Sequence, residues 1–239
     1  MNQPAVDIRH LSFRYPDGHL ALDDITFHVV PGEKVALVGP NGSGKSTLLL
    51  QFNGVLRAQS GEITIGGLAL NEANLGQIRA WVGMAFQNPD DQLFSPRVYQ
   101  DVAFGPLHMG LPEAEITARV ADALEAVGLS DFAGRISFHL SVGEKKRVAL
   151  ATVLSMDAHI LALDEPSAGL DPRARRSLVQ LLKTFTHQTV IVSTHDIRLA
   201  YELCSRVVVL DGGRIVADGP AEHLLLDSIL MEQHGLETP

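Results

Sequence analysis

Residues 39 to 47 read Gly39-Pro40-Asn41-Gly42-Ser43-Gly44-Lys45-Ser46-Thr47, a run whose residue types suit one task, the holding of phosphate. Glycines let successive backbone N–H groups close around phosphate oxygens, Lys45 can reach the β and γ phosphates, and the Ser46 hydroxyl can ligate Mg²⁺. The spacing is that of a P-loop, and its surroundings agree: the apolar "KVALVG" precedes it as a strand and "STLLLQFNGVL" follows it as a helix. Further on, "HILALDEP" uses a short apolar strand to deliver Asp164 to a strand end, where a carboxylate can hold Mg²⁺ through water. Glu165 follows at once and points differently, so it can orient or activate an attacking water. These parts predict nucleotide binding without choosing among kinases, helicases and GTPases, which share them.

A second stretch, "LSVGEKKRVAL" at 140 to 150, sets Ser141 and Gly143 at a helix start, where free N–H groups attract anions. Lys145, Lys146 and Arg147 follow, but adjacent helical residues do not share a face, so the run is expected to pair on the surface of its subdomain. Val142 is β-branched and poorly suited to positive φ, which predicts negative φ there.

The elements that must position these groups are short apolar runs. "KVALVG", "VGMAF", "HILALD", "TVIVST" and "RVVVLD" read as buried strands of a mainly parallel sheet. "VDIRHLSFRY" and "LDDITFHVV" alternate apolar with polar residues, as half-buried antiparallel strands do, with Asp17-Gly18 as the turn between them. Residues 112 to 127 carry Ile116, Val120, Leu124 and Val127 at helical spacing behind Pro112, with Gly128 as the stop. The chain has 239 residues, 46% of them apolar, and a net charge of −9, which disfavours nucleic acid as a partner. A single cysteine, Cys204, and a start without a basic or apolar segment are read as cytosolic. No apolar run approaches the roughly 18 residues needed to span a bilayer, so a membrane role must come through a partner rather than lipid insertion.

"LSVGEKKR" before a helix, then "LDEPSAGLDP", then "STHD" at 193 to 196, all behind a P-loop, resembles the ATPase subunits of ATP-binding cassette transporters from residue 6 to about 220. The resemblance implies a single ATPase domain over 1–239, an α/β P-loop NTPase core of approximately 1–88 and 158–239. An antiparallel β subdomain and an inserted helical subdomain of approximately 89–157 complete it. ATP and Mg²⁺ are the implied ligands. Tyr15 matches the aromatic that stacks on adenine, Gln87 the glutamine that contacts Mg²⁺ and the attacking water, and His195 the histidine that senses the γ-phosphate. Two subunits are implied to face each other head to tail, with Ser141, Gly143 and Glu144 of one covering the ATP of the other and Asp171 crossing the interface. Both half-sites look intact, which permits a homodimer and leaves a heterodimer open. Where the commonest signature has glycine this chain has Val142, and Glu144 stands where many members have glutamine.

"FQNPDDQLFSPRVYQDVAFGP" at 86 to 106 resembles the ATPases of energy-coupling-factor importers, most closely those of cobalt and nickel uptake; vitamin uptake is the alternative. Such importers pair two ATPases with a transmembrane coupling protein and a substrate-capturing membrane subunit, which implies a peripheral location on the cytoplasmic face of the cell membrane. Asp90 and Asp91 beside Leu93 and Phe94 suggest an acidic rim on an apolar groove for a helix carrying arginines, against the alternative of an acidic cap with both apolar residues turned inward. No metal-chelating cluster is evident at helical spacing, so a metal cargo is not expected to bind this subunit. The C-terminal "AEHLLLDSILMEQHGL" can pack on the core or join a dimer contact. A DNA-repair cassette ATPase and a small-molecule kinase remain as competing classes; the first usually needs a long coiled coil.

Overall fold

The computed structural model describes residues 3–239. β1 (Val6–Arg14) and β2 (Leu20–Val29) pair antiparallel around the turn at Asp17-Gly18, as their alternating pattern predicts. β3 (Lys34–Val38) leads into the P-loop and α1 (Lys45–Leu49). The chain then returns through β4 (Ser60–Ile65) and β5 (Leu68–Ala69), completing a four-stranded antiparallel sheet in the order β2-β1-β4-β5. After α2 (Leu75–Trp81) comes β6 (Val82–Ala85). Next, α3 (Val98–His108), α4 (Glu113–Ala126) and α5 (Val142–Leu154) run between β6 and β7 (Ile160–Asp164). The remainder alternates α6 (Pro172–Thr184), β8 (Thr189–Ser193), α7 (Ile197–Leu203), β9 (Arg206–Asp211) and β10 (Arg214–Pro220), and ends in α8 (Ala221–Leu224) and α9 (Ser228–Gln233).

The second sheet has the order β10-β9-β3-β8-β7-β6, parallel except for its edge strand β10. Its strands read as unbroken apolar runs because both faces are covered. Val35, Leu37, Ala162, Ile191 and Val208 pack toward the first sheet and α1, whereas Ala36, Val38, Leu163, Val192 and Val209 pack toward α3 to α7. This sandwiching places the C-terminal ends of β3, β7 and β8 side by side, and the chemistry-bearing residues follow those ends.

One expectation changes, and one open alternative is met in part. The helix after the P-loop stops at Leu49 and continues as tight turns, with Phe52 N–H donating to Leu49 O at 3.0 Å, instead of running on to residue 56. The C-terminal segment divides its apolar residues: Leu225 and Met231 join the core, while Leu226 and Ile229 face solvent. Among the described residues no helix is long and apolar enough to cross a membrane.

Candidate functional site

The P-loop fits its place only with glycine at two positions. A Cβ on Gly39 would stand 2.0 Å from the Leu210 carbonyl oxygen, and one on Gly44, at φ +103°, would stand 2.6 Å from that of Ala21. Gly44 thereby caps α1 in a conformation other residues rarely adopt. Lys45 lies curled over the loop, its Nζ donating to Gly39 O at 2.8 Å and Pro40 O at 2.9 Å. Burial pushes its amine below the ordinary lysine range, while the nearby Glu165 and Asp164 carboxylates oppose that shift. Tyr15 is half-buried, meets Phe13 edge to face at 5.0 Å, and bonds through its hydroxyl to Thr47 Oγ1 at 3.0 Å. Pro40, Asn41, Gly42 and Ser43 complete the loop between β3 and α1.

Ser46 Oγ donates to Asp164 Oδ1 at 3.0 Å, and Ser193 Oγ donates to the same carboxylate oxygen. A hydroxyl and a carboxylate oxygen brought together at a buried strand end are hard donors of the kind Mg²⁺ selects. The donor set therefore fits that ion. Among the described residues no group of three or more His, Cys, Asp or Glu is placed to hold a metal ion.

Glu165 is buried and adopts φ +46°, a left-handed conformation that costs a non-glycine residue about 1–3 kcal/mol. Neighbours hold it there. Its N–H donates to Ser193 O at 2.9 Å; its Oε1 accepts from the His195 N–H at 3.0 Å and faces His195 Nδ1 at 2.8 Å; Thr194 Oγ1 donates to Oε2 at 3.3 Å. The His195 ring is mostly exposed. Asp196 next to it caps α7 through the Leu199 N–H and pairs bidentately with Arg175 at 2.7 and 3.2 Å. Gln87, two residues past β6, is exposed to solvent.

Ser141 caps α5 in a reciprocal box: the Glu144 N–H donates to Ser141 Oγ at 3.4 Å, while Ser141 N–H and Oγ donate to Glu144 Oε2 at 2.8 and 2.7 Å. Those bonds hold the Glu144 carboxyl below its usual range. Val142 heads the helix with negative φ, as its branching predicts, and is exposed. Asp171 caps α6, accepting from the Arg173 and Ala174 N–H groups at 2.8 and 2.9 Å. Among the described residues, the polar bonds of Ser141, Glu144 and Asp171 all stay within their own helix starts, apart from a loose ion pair from Arg135 to Glu144 at 3.8 Å. One chain thus gathers Lys45, Ser46, Asp164, Glu165 and His195 and leaves Ser141 and Asp171 exposed and Gly143 partly so.

The basic run is not all surface pairing. Lys145 does pair with Asp90, at 2.6 Å, but Lys146 Nζ donates to the backbone carbonyl of Glu165 at 3.0 Å, reaching from α5 into the site. Burial pushes its amine down, with Glu165 and Asp164 opposing. Arg147, with Lys146, Asp164 and Asp171, lines a cleft of about 480 Å³ between the helical segment and the core.

The expected groove also changes. Leu93 is 3% exposed and belongs to the core, whereas Phe94 is 59% exposed, because the turn Pro89–Asp91 aims one of the pair inward. Phe94 packs edge to face on exposed Phe104 at 4.9 Å, and Leu107 extends the same helix surface. Phe104 and Leu107 escaped the sequence reading; their place on α3 opposite its buried Val98 and Val102 is the signal that could have found them.

A parallel sheet with a P-loop after one strand and an acid pair after the strand next but one, with β8 between them, defines the class of P-loop ATPases. A family model described as ABC transporter matches residues 22–168. The chain is 45% identical over 238 residues to the energy-coupling factor transporter ATP-binding protein EcfA of Methanothermobacter thermautotrophicus, covering 98% of this chain and 76% of that one. It resembles the structure of cbiO1 from Clostridium perfringens, described as part of the ABC transporter complex cbiONQ, with TM-score 0.81, 38% identity and coverage of 96% and 94%. A dimeric cassette, MJ0796 in a post-hydrolysis state bound to ADP and Pi, superimposes with TM-score 0.84 at 27% identity, covering 90% of this chain and 98% of that one. The chain belongs to the ABC transporter family and is an ATP-binding, ATP-hydrolysing component of a transport system.

Proposed function

We propose that two copies of this chain bind two ATP molecules between them and use hydrolysis to energise an importer of the energy-coupling-factor type, with cobalt or nickel ions as cargo. The observation that carries the reading is the division of polar groups within one chain. Lys45, Ser46, Asp164 and Glu165 converge, while Ser141 at the capped start of α5 and Asp171 at the start of α6 are exposed and bond only within their own helix starts. A head-to-tail pair with two-fold symmetry joins each P-loop to the other chain's Ser141 and Gly143, and both sites are completed by the same contact. The dimeric cassette with ADP and Pi supports that arrangement.

In this mechanism the P-loop backbone and Lys45 hold the phosphates. Ser46, Asp164 and Gln87 would hold Mg²⁺, which would neutralise phosphate charge. Tyr15 stacks on adenine. Glu165 orients the attacking water and accepts its proton, and His195 fixes the Glu165 carboxylate and contacts the γ-phosphate. N–H groups at the start of α5 add a positive dipole end to a charge that one chain alone does not neutralise. Glu144 acts by setting that helix start rather than by touching nucleotide.

The cargo reading rests on the resemblance of residues 86 to 106 to the ATPases of cobalt and nickel uptake; relatives named for an energy-coupling factor transporter and for the cbiONQ complex support the importer type. The membrane partners are a transmembrane coupling protein and a substrate-capturing subunit, and the surface for the first is the Phe94, Phe104 and Leu107 patch beside Asp90 and Asp91. Asp91 has no cation partner among the described residues, whereas Asp90 must exchange Lys145 for an arginine of the partner. Copurification of untagged membrane partners with the tagged chain, followed by uptake assays with cobalt, nickel and vitamins, tests the reading. Uptake of a vitamin but neither metal would replace the cargo, and absence of any membrane partner would overturn the importer.

A further inference from the structure

Asp101 sits in the first turn of α3, 2% exposed, and no cation pairs with it among the described residues. A buried carboxylate without a cation is costly unless donors surround it. Here they are three. Oδ1 accepts from the Phe94 N–H at 3.1 Å and the Ser95 N–H at 2.8 Å, and Oδ2 accepts from Ser137 Oγ at 2.6 Å. Both ends of this bridge lead somewhere. Phe94 carries the exposed ring of the apolar patch, and Ser137 opens the turn Ser137–His139, which runs through Leu140 into the Ser141 cap of α5. The same two segments are laced by Val98 N–H to Arg135 O at 3.1 Å, Tyr99 N–H to Ala133 O at 2.9 Å and Ser137 N–H to Pro96 O at 3.3 Å.

We infer that Asp101 is a positioning residue that ties the patch at Phe94 to the start of α5, so that a partner docked on the patch sets where Ser141 and Gly143 stand against the other subunit's ATP. The inference rests on the importer reading for the identity of the docked partner, but the tie itself is a property of the chain. Charge-assisted bonds to one carboxylate are short and stiff, so a shift of the 94–95 backbone is passed on and not absorbed locally. Sequence separation hides the link, since the Asp101 side chain joins Phe94 to Ser137 across segments that are far apart in the chain and otherwise held by backbone bonds.

The test compares Ser137→Ala, Asp101→Ala and Asp101→Asn in the full chain. Amide hydrogen exchange reads the tie without any need for turnover. Ser137→Ala should speed exchange at 138–144 about ten-fold and leave 92–97 unchanged, as expected for losing one hydrogen bond to a charged group. Asp101→Ala should speed both segments. Asn at 101 keeps an acceptor for the two amides and gains a donor for Ser137, so it should retain most of the wild-type protection. In the complex with membrane partners, Ser137→Ala should leave ATP affinity within about two-fold and cut turnover about ten-fold; Phe94→Ala should then have no added effect on turnover in that background. Unchanged exchange at 138–144 in Ser137→Ala, or Asn protecting no better than Ala, would overturn the inference. Loss of partner binding by the wild-type chain would instead overturn the importer reading and leave the exchange result to stand.

Discussion

His195 Nδ1 lies 2.8 Å from Glu165 Oε1, and the His195 backbone N–H donates to that same oxygen at 3.0 Å. One carboxylate oxygen is thus held by a single residue through both its backbone and its ring, while Oε2 receives only a weak bond of 3.3 Å from Thr194. Such a carboxylate is fixed in direction and keeps an oxygen to offer a water. Glu165→Gln preserves shape and removes the base, so ATP binding should stay within about two-fold while hydrolysis falls by about 10²-fold or more. Equilibrium binding beside a turnover assay reads the split; hydrolysis at the wild-type rate would remove Glu165 from the catalytic role.

Lys146 bears on the same residue from the other side of the cleft, through the Glu165 carbonyl. Its amine is pushed below the ordinary lysine range by burial, against the pull of the two carboxylates. The protonated form is the stronger donor, so its contribution is present below that lowered value and is lost as pH rises through it. Hydrolysis should therefore decline on the alkaline side at a pH where exposed lysines are still charged. Lys146→Arg should lessen that decline, leaving the part that comes from Lys45, whose amine burial also pushes down, and Lys146→Met should lower turnover about ten-fold at neutral pH. An identical alkaline profile in the arginine variant would exclude Lys146 as its origin.

The start of α5 is set by the Ser141 and Glu144 box, and a box of this kind is worth about 1 kcal/mol. Glu144→Ala should lose that amount in urea unfolding. Glu144→Gln can make the same contacts and should lose much less. Equal losses in the two variants would mean the box does not hold the helix start.

Asp196 links stability to pH. Burial works against its ionisation, but Arg175, the Leu199 N–H and the Ser167 hydroxyl together hold its carboxyl below the usual range. A carboxyl depressed in the folded state contributes stability that is fully present above its unfolded value, about 3.9, and is lost as pH falls through the lower folded value. The stability gap between wild type and Asp196→Asn should be widest near neutrality and should narrow as pH falls below the unfolded value and through the lower folded one. A gap independent of pH would deny the ion pair this part.

What could be read in the sequence follows from where the information lies. Strands β3, β6, β7, β8 and β9 are legible because burial on both faces leaves unbroken apolar runs; Asp164 and Glu165 are legible because they end and follow such a run, and Lys45 and Ser46 because a glycine-rich loop after β3 spaces them. Edge elements are harder. β4 opens on exposed Ser60, Gly61 and Glu62, and β10 closes on Gly219 and Pro220, so neither carries enough apolar alternation to stand out. The reach of Lys146 to Glu165 and the bridge through Asp101 are contacts between segments far apart in the chain, and no local pattern encodes them. Likewise Leu93 and Phe94 are both apolar, and only the turn before them decides which faces the core.

The central claim, that each ATP site is built from the P-loop of one chain and the α5 start of another, is tested most directly by mixing two inactive variants. Lys45→Ala disables the P-loop and Ser141→Arg disables the lid, so each alone should hydrolyse ATP at background rate. In an equal mixture, about half the dimers pair one of each and place one intact P-loop against one intact lid, restoring about a quarter of wild-type activity. A mixture that stays at background, or a Ser141→Arg chain that remains fully active alone, would contradict the shared site.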